Sequence, residues 1–232
     1  TMSKIRFTEP NREILARRDS IINDLTRLVD PAGLITSTDE CRAYETDALT
    51  AYRKMPLAVV LPKTTEEVSA VLKYCHDTGV KVVPRGAGTS LAGGAIPSED
   101  AVVLGLSKMN RVLAVNYDDR FIRVEAGVTN LSVTAVVAEN GFFYAPDPSS
   151  QLACTIGGNI ANNSGGAHCL KYGVTTNNLL GVRMVLIDGS IIDLGGDYLD
   201  SAGLDLLGLV VGSEGQLGIV TEATLRILKS AE

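Results

Sequence analysis

Residues 82–97, VVPRGAGTSLAGGAIP, carry the spacing with the most chemical content in this sequence. An apolar run ends at Pro84, and Gly86, Gly88, Gly93 and Gly94 follow within a few residues. Glycine tolerates positive φ and lets backbone N–H groups approach a ligand, so such a cluster after a strand points to a wrapped anion. Two familiar phosphate loops fail against it. A dinucleotide fingerprint starting at Gly86 needs a third glycine where Leu91 stands. The P-loop spacing from Gly88 to Gly93 is met, but Gly94 and Ala95 occupy the places of its Lys and Ser/Thr. Pro97 also blocks any helix after the loop, so the anion must be held by another device.

Three further segments share this character. In Ala145–Asn159 (APDPSSQLACTIGGN), Pro146 and Pro148 stiffen the chain and can hold the hydroxyls of Ser149, Ser150 and Thr155 in place. Gly157 and Gly158 permit close backbone approach, and Asn159 offers a donor and an acceptor. That mixture suits a flat heteroaromatic ring bearing carbonyls and N–H groups; a rigid proline turn leading into a capped helix is the plainer alternative. Ala161–Gly173 (ANNSGGAHCLKYG) sets Asn162, Asn163 and Ser164 among apolar flanks, where burial would demand partners. His168 invites acid–base work, but no carboxylate or second histidine stands near it in sequence, so a structural or ligand-shaping role is expected. Lys171 reads as a solvated charge. In Gly212–Gly218 (GSEGQLG), a glycine turn precedes an alternating strand; Glu214 could cap a neighbouring loop, while Ile219 and Val220 could offer backbone polar groups to a ligand edge.

Composition narrows the class. The 232 residues are 45% hydrophobic and 21% charged, values of a globular chain able to bury a sizeable core. No apolar run approaches the length of a membrane span. The net charge of −6 argues against a nucleic-acid partner. Cys41, Cys75, Cys154 and Cys169 lack metal-ligand or scaffold spacing, and His76 and His168 are the only histidines, so no metal site is expected and reduced thiols in the cytoplasm are. The N-terminus is polar, with no secretory signal expected, and Thr1 ahead of Met2 is expected to be extraneous.

The elements that must position these segments follow from periodicity and punctuation. Helical spacing of apolar residues predicts a helix over 11–29, ended by Pro31 and Gly33. A strand over Leu57–Leu61, a helix over Glu66–Asp77 capped by Thr64 or Thr65, and a strand over Val80–Val83 form a βαβ unit with parallel neighbours. Strands are expected at Ala101–Leu104, Arg111–Val115 and Phe121–Glu125, then a helix from Thr129 through Glu139. Residues 142–180 read as a long functional loop. A hairpin over Val182–Leu194, a short helix over Leu204–Leu209 and a strand over Ile219–Leu228 complete the chain. The class is α+β, with a βαβ-containing first lobe over about 1–110 and a mainly antiparallel second lobe over about 111–232.

The four segments, in this order, resemble the FAD-binding domain of the vanillyl-alcohol oxidase or p-cresol methylhydroxylase type. Within it they are most similar to the glycolate oxidase FAD subunit and the D-lactate and D-2-hydroxyglutarate dehydrogenases. The resemblance is carried by PRGAGTSLAGGAIP, YAPDPSSQLACTIGGNIANNSGGAHCLKYG, NLLGVRMVLIDG and VVGSEGQLGIVTEATLRIL, and more weakly by AYRKMPLAVVLPKTTEEV. It implies FAD held at Pro84, Arg85, Gly86, Ala87, Gly88, Thr89 and Ser90 through the pyrophosphate, with Arg85 as a supporting or phosphate-side charge. It further implies a flavin lining of Pro146, Asp147, Ser149, Thr155, Gly157, Gly158, Asn159, Asn162, Ser164 and Gly166, and adenine or ribitol contacts at Gly218, Ile219 and Val220. Relatives with covalent flavin use a histidine where Thr89 and Leu91 stand here, so FAD is expected to be non-covalent.

The implied activity of a full-length protein is oxidation of glycolate or a small D-2-hydroxy acid by hydride transfer to flavin N5. Iron–sulfur and second flavin-type subunits are the implied partners, with peripheral attachment to the inner membrane through them. The catalytic residues are expected in a cap domain outside this chain, leaving the chain inactive by itself. A non-catalytic flavin-binding subunit stays open, as does another flavoenzyme of the same fold, such as an alkyl-glycerone-phosphate synthase or cell-wall reductase type.

Overall fold

The structure is a computed structural model that describes residues 8–198 and 203–230. The expectations for the polar leader and Thr1 fall largely on residues 1–7, outside the described residues. In place of one helix over 11–29 there are two, α1 (Arg12–Ala16) and α2 (Arg18–Leu25). The break is a tight turn in which the Arg17 amide bonds Ile14 O, and Arg17 leaves helical geometry at ψ 8°. Ile14, Ile21 and Leu25 are buried on either side of it.

A first sheet holds β1 (Leu34–Ile35), β2 (Ala58–Val60), β3 (Lys81–Arg85) and β4 (Ala101–Gly105) in the order β1-β2-β4-β3. Helix α3 (Thr38–Cys41) follows β1, and α4 (Thr65–Thr78) links β2 to β3. Thr64 caps α4 by accepting the Glu67 N–H at 3.2 Å, Glu66 and Glu67 sit in the positive first turn, and Gly79 closes the helix at φ +74°. The βαβ unit differs from expectation in one respect. β2 and β3 are each parallel to β4, which lies between them. All five residues of β4 are buried, so this apolar strand takes the centre and leaves β3, with its proline and charged ends, at the edge.

The second sheet is antiparallel, in the order β5-β6-β10-β8-β9, from β5 (Val112–Asn116) and β6 (Phe121–Glu125) through β8 (Leu179–Val185), β9 (Ile191–Gly195) and β10 (Ile219–Arg226). A small ladder pairs β7 (Phe142–Phe143) with β11 (Leu228–Lys229). The α+β class and the two-lobed architecture hold. Helix α5 (Asn130–Val137) tightens into a 3-10 turn over Ala138–Asn140 and ends at Gly141 with φ +75°.

The largest departure lies in 142–180, which is not one loop. It contains α6 (Ile156–Asn162) and α7 (Cys169–Tyr172), with α8 (Leu206–Val210) further along. Two glycines and two asparagines hide α6 from propensity reasoning. Tertiary contact makes it: Ile156 and Ile160, one turn apart, are both fully buried, and Gly157 passes Ala126 where a Cβ would stand 3.0 Å from the Ala126 Cβ.

Helix α4 is fastened to the second sheet by hydroxyls. Thr65 Oγ1 donates to Thr221 Oγ1 at 3.0 Å and Ser69 Oγ to Gly189 O at 2.5 Å, which fixes the two sheets about a shared cleft.

Candidate cofactor site

The glycine loop leaves the edge strand β3 at Arg85. Gly88 and Gly93 take φ +70° and +80°, conformations that side chains rarely adopt. Gly86 faces Thr155 so closely that a Cβ would lie 2.5 Å from its Oγ1. Between Gly86 and Ser90 no backbone N–H donates to another described residue, so consecutive amides are left open beside the cleft. Such a run is an anion nest without helix dipole or lysine.

The Arg85 guanidinium packs against Gly88 of this nest, where it leaves no room for a Cβ, but it does not line the cleft. Its Nη1 donates to Thr46 O at 2.7 Å, and the guanidinium lies 5.5 Å over the Tyr44 ring. Burial lowers its pKa, opposed by the charge of Asp47. The charge braces the loop from beneath.

Three adjoining cavities of about 220, 60 and 430 Å³ share Pro84 as a common wall. Gly86, Ala87, Gly88, Thr89 and Ser90 line the first, opposite Thr155, Gly158, Asn159, Asn162 and Ser164. Gly157, Gly218, Ile219 and Val220 line the second. The structure therefore brings fifteen of the twenty expected residues to one cleft. Arg85, Pro146, Asp147, Ser149 and Gly166 do not line these cavities. Pro146 instead gives its carbonyl to the buried Asn130 side chain at 3.0 Å. Ser149 is exposed and its neighbour Ser150 takes the lining position, because the turn at 148–151 rotates the first hydroxyl away. Gly166 packs on the carbonyl of Asp147.

Asn159 is 1% exposed, and neither atom of its carboxamide makes a hydrogen bond among the described residues. Beside it the Cys154 thiol is pushed up by burial. A buried donor and acceptor left open in a cavity wall match a ligand that carries both. Thr155 supplies the N-cap of α6, its Oγ1 accepting the Gly158 N–H at 3.4 Å.

The first cavity is also lined by residues outside the expected set: Ala92, Gly94 and Ala95 of the glycine loop itself, and Ser150, Cys154 and Glu214 from other segments. Ser150 and Cys154 were readable as part of their segment but not as the inward-facing ones. Glu214 reaches the cleft because its backbone takes φ +54°, which nothing in its side chain announces. It caps through its backbone: the N–H groups of Gly212 and Glu214 donate to Ile160 O and Ala161 O at 2.9 and 2.8 Å, closing the end of α6. His168, expected to lack a carboxylate, has one. Asp147 Oδ2 stands 2.5 Å from its Nδ1, from a turn twenty-one residues earlier. Among the described residues no helix is long and apolar enough to cross a membrane.

The residues present fit a dinucleotide: open amides for a central anion, a polar wall with an unpaired carboxamide, and an apolar pocket bounded by Leu72, Val82, Ile187 and Leu217. Comparison with known proteins agrees. The chain is 49% identical over 211 residues to the glycolate oxidase subunit GlcD of Escherichia coli, covering 91% of this chain and 42% of that protein. It is 40% identical over 210 residues to a D-lactate dehydrogenase of Archaeoglobus fulgidus, covering 90% and 46%. A D-2-hydroxyglutarate dehydrogenase of Xanthomonas citri is 37% identical, over 90% of this chain and 44% of its own length. The chain thus spans less than half the length of these relatives. A solved alkyldihydroxyacetonephosphate synthase shares the fold, with TM-score 0.82 at 23% identity over 99% of this chain and 43% of that one. The resemblance read from the four glycine segments is borne out. A model of the FAD binding domain matches residues 56–195, more than half of the chain, which therefore belongs to the FAD binding domain family and has FAD as its cofactor.

Proposed function

We propose that this chain is the cofactor-holding part of an oxidoreductase acting on glycolate or a small D-2-hydroxy acid. The observation that carries the site assignment is the pairing of open amides at Gly86–Ser90 with the unpartnered carboxamide of Asn159 across one cavity. In this reading the amides and the Thr89 and Ser90 hydroxyls hold the pyrophosphate, and Asn159, Ser150, Asn162 and Ser164 meet the polar edge of the ring system. Arg85 keeps the loop in shape. The aromatic groups are enclosed where Gly157 and Gly218 allow backbone to approach. Attachment is non-covalent, since Thr89 and Leu91 offer no histidine. FAD supplies the hydride acceptor when bound.

The substrate class rests on the named activities of the relatives, which are glycolate oxidase, D-lactate dehydrogenase and D-2-hydroxyglutarate dehydrogenase. The groups that bind and deprotonate the hydroxy acid belong to a cap outside this chain, so the chain alone holds FAD and turns over no substrate. The lobes divide near residue 110, between β4 and β5. Iron–sulfur and second flavin-type subunits accept the electrons, in a cytoplasmic assembly attached peripherally to the inner membrane. The subunit wording in one relative's name supports an assembly of this kind.

The test is anaerobic mixing of the full-length protein with glycolate, D-lactate or D-2-hydroxyglutarate while flavin absorption is followed. Bleaching by at least one of them is expected, with none for the isolated FAD-loaded chain. No bleaching of the full-length protein by any of the three contradicts the substrate class.

A further inference from the structure

Asp147 and His168 stand outside the cleft lining, yet much local structure is committed to holding them together. Oδ2 of Asp147 lies 2.5 Å from His168 Nδ1, and Oδ1 accepts the His168 backbone N–H at 3.2 Å, so both carboxylate oxygens serve one residue. Pro146 and Pro148 fix the backbone on either side of Asp147, and Asn130 anchors the Pro146 carbonyl. Gly166 lies against the Asp147 carbonyl where no Cβ could stand. The imidazole itself is 67% exposed, and its ring hydrogen bonds no other described residue. An exposed histidine so firmly gripped is organised for something beyond core packing.

What the pair joins gives its purpose. From Asp147 the chain runs directly to Ser150, and from Ser164 it runs directly to His168. Ser150 and Ser164 both line the 220 Å³ cavity, so the pair ties two of its wall segments together from behind. A dinucleotide carries its anion in the middle, and its two ring systems must leave in different directions. The apolar pocket with Leu72 and Ile187 suits adenine. The hydroxyl and carboxamide wall suits the isoalloxazine carbonyls and N–H groups.

We propose that Asp147 and His168 form a clamp that positions the isoalloxazine half of FAD by fixing the spacing of the Ser150 and Ser164 segments. Both are positioning residues and neither touches the cofactor. The inference rests on FAD occupying this cleft.

The test compares the parent chain with D147A, H168A and the double variant, each titrated with FAD and with ADP. ADP carries the adenine and pyrophosphate but no flavin ring. Loss of a charge-assisted contact of this kind should weaken FAD binding about tenfold or more in each single variant. The visible absorption and circular dichroism of the bound flavin should change with it. The double variant should be no weaker than the weaker single, as for two members of one contact, and ADP affinity should stay within about twofold. Preserved ADP binding also reports an intact fold. Unchanged FAD affinity and spectra would overturn the clamp. So would equal losses for ADP and FAD, which mark a merely structural role, or additive losses in the double variant. A parent chain that binds no FAD overturns the cofactor assignment first and the clamp with it, before any substitution is made.

Discussion

Gly86 and Thr155 meet across the cleft at a distance that leaves no room for a methyl group: a Cβ on Gly86 would lie 2.5 Å from Thr155 Oγ1. The same hydroxyl caps α6, so the contact couples the anion loop to the helix that carries Asn159. Both walls of the cleft are registered by one glycine.

Gly86→Ala should therefore disturb both at once. The methyl group must push Thr155 off its cap or lift the loop, at a cost of about 1–2 kcal/mol in stability. FAD affinity should fall by about tenfold or more, because misplaced amides no longer converge on the phosphates. Thermal unfolding and FAD titration of the variant check the two effects separately.

Asn159→Leu should separate folding from binding by sign. The carboxamide is buried without partners, so an apolar residue of similar size should leave the FAD-free chain as stable as before, or more stable by about 1 kcal/mol. FAD affinity should fall nonetheless, since the ligand loses a donor and an acceptor. Melting curves with and without FAD measure both, and a destabilised FAD-free variant would contradict the reading of Asn159 as a ligand group.

Arg85→Met tests the brace. Removing the bond to Thr46 O and the stacking on Tyr44 should cost about 1–2 kcal/mol of stability. The salt dependence of FAD binding should not change, because the guanidinium is committed to Thr46 O and the Tyr44 ring and does not line the cleft. A clear flattening of that dependence would return Arg85 to the phosphate side.

Asp100 sets an acid limit on the first sheet. Its carboxylate is 1% exposed, and burial pushes its pKa up. Lys81, the Asn11 N–H and Ser98 outweigh burial and hold it at about 2 against an ordinary 3.8. A depressed pKa means stability that is present above pH 3.8 and lost as pH falls through 2, in all about 2 kcal/mol. Asp100→Asn should be less stable than the parent at neutral pH, and the gap should close between about pH 4 and 2. Denaturant midpoints across that range give the comparison.

Much of this molecule was legible because its signals are local. Thr64 and Gly79 bracket α4 by cap chemistry, and a short run set off by turn residues gives β6 over Phe121–Glu125. The glycine loop stood out because open amides need missing side chains. What stayed hidden depends on distant contacts. Helix α6 exists through the burial of Ile156 and Ile160 against its own propensity, and β4, buried along its whole length, enters between β2 and β3. The same limit explains Asp147 and His168, a carboxylate and an imidazole that only the closing of two loops brings together. Ser149 and Ser150 differ in a turn's rotation, which composition does not encode.

The most direct measurement is titration of the purified chain with FAD, followed by flavin fluorescence and then by acid precipitation. Saturable, equimolar quenching is predicted, with all of the flavin released into the supernatant on denaturation. No fluorescence change up to high micromolar FAD would contradict the assignment of the cleft, and flavin remaining with the precipitated protein would contradict non-covalent attachment.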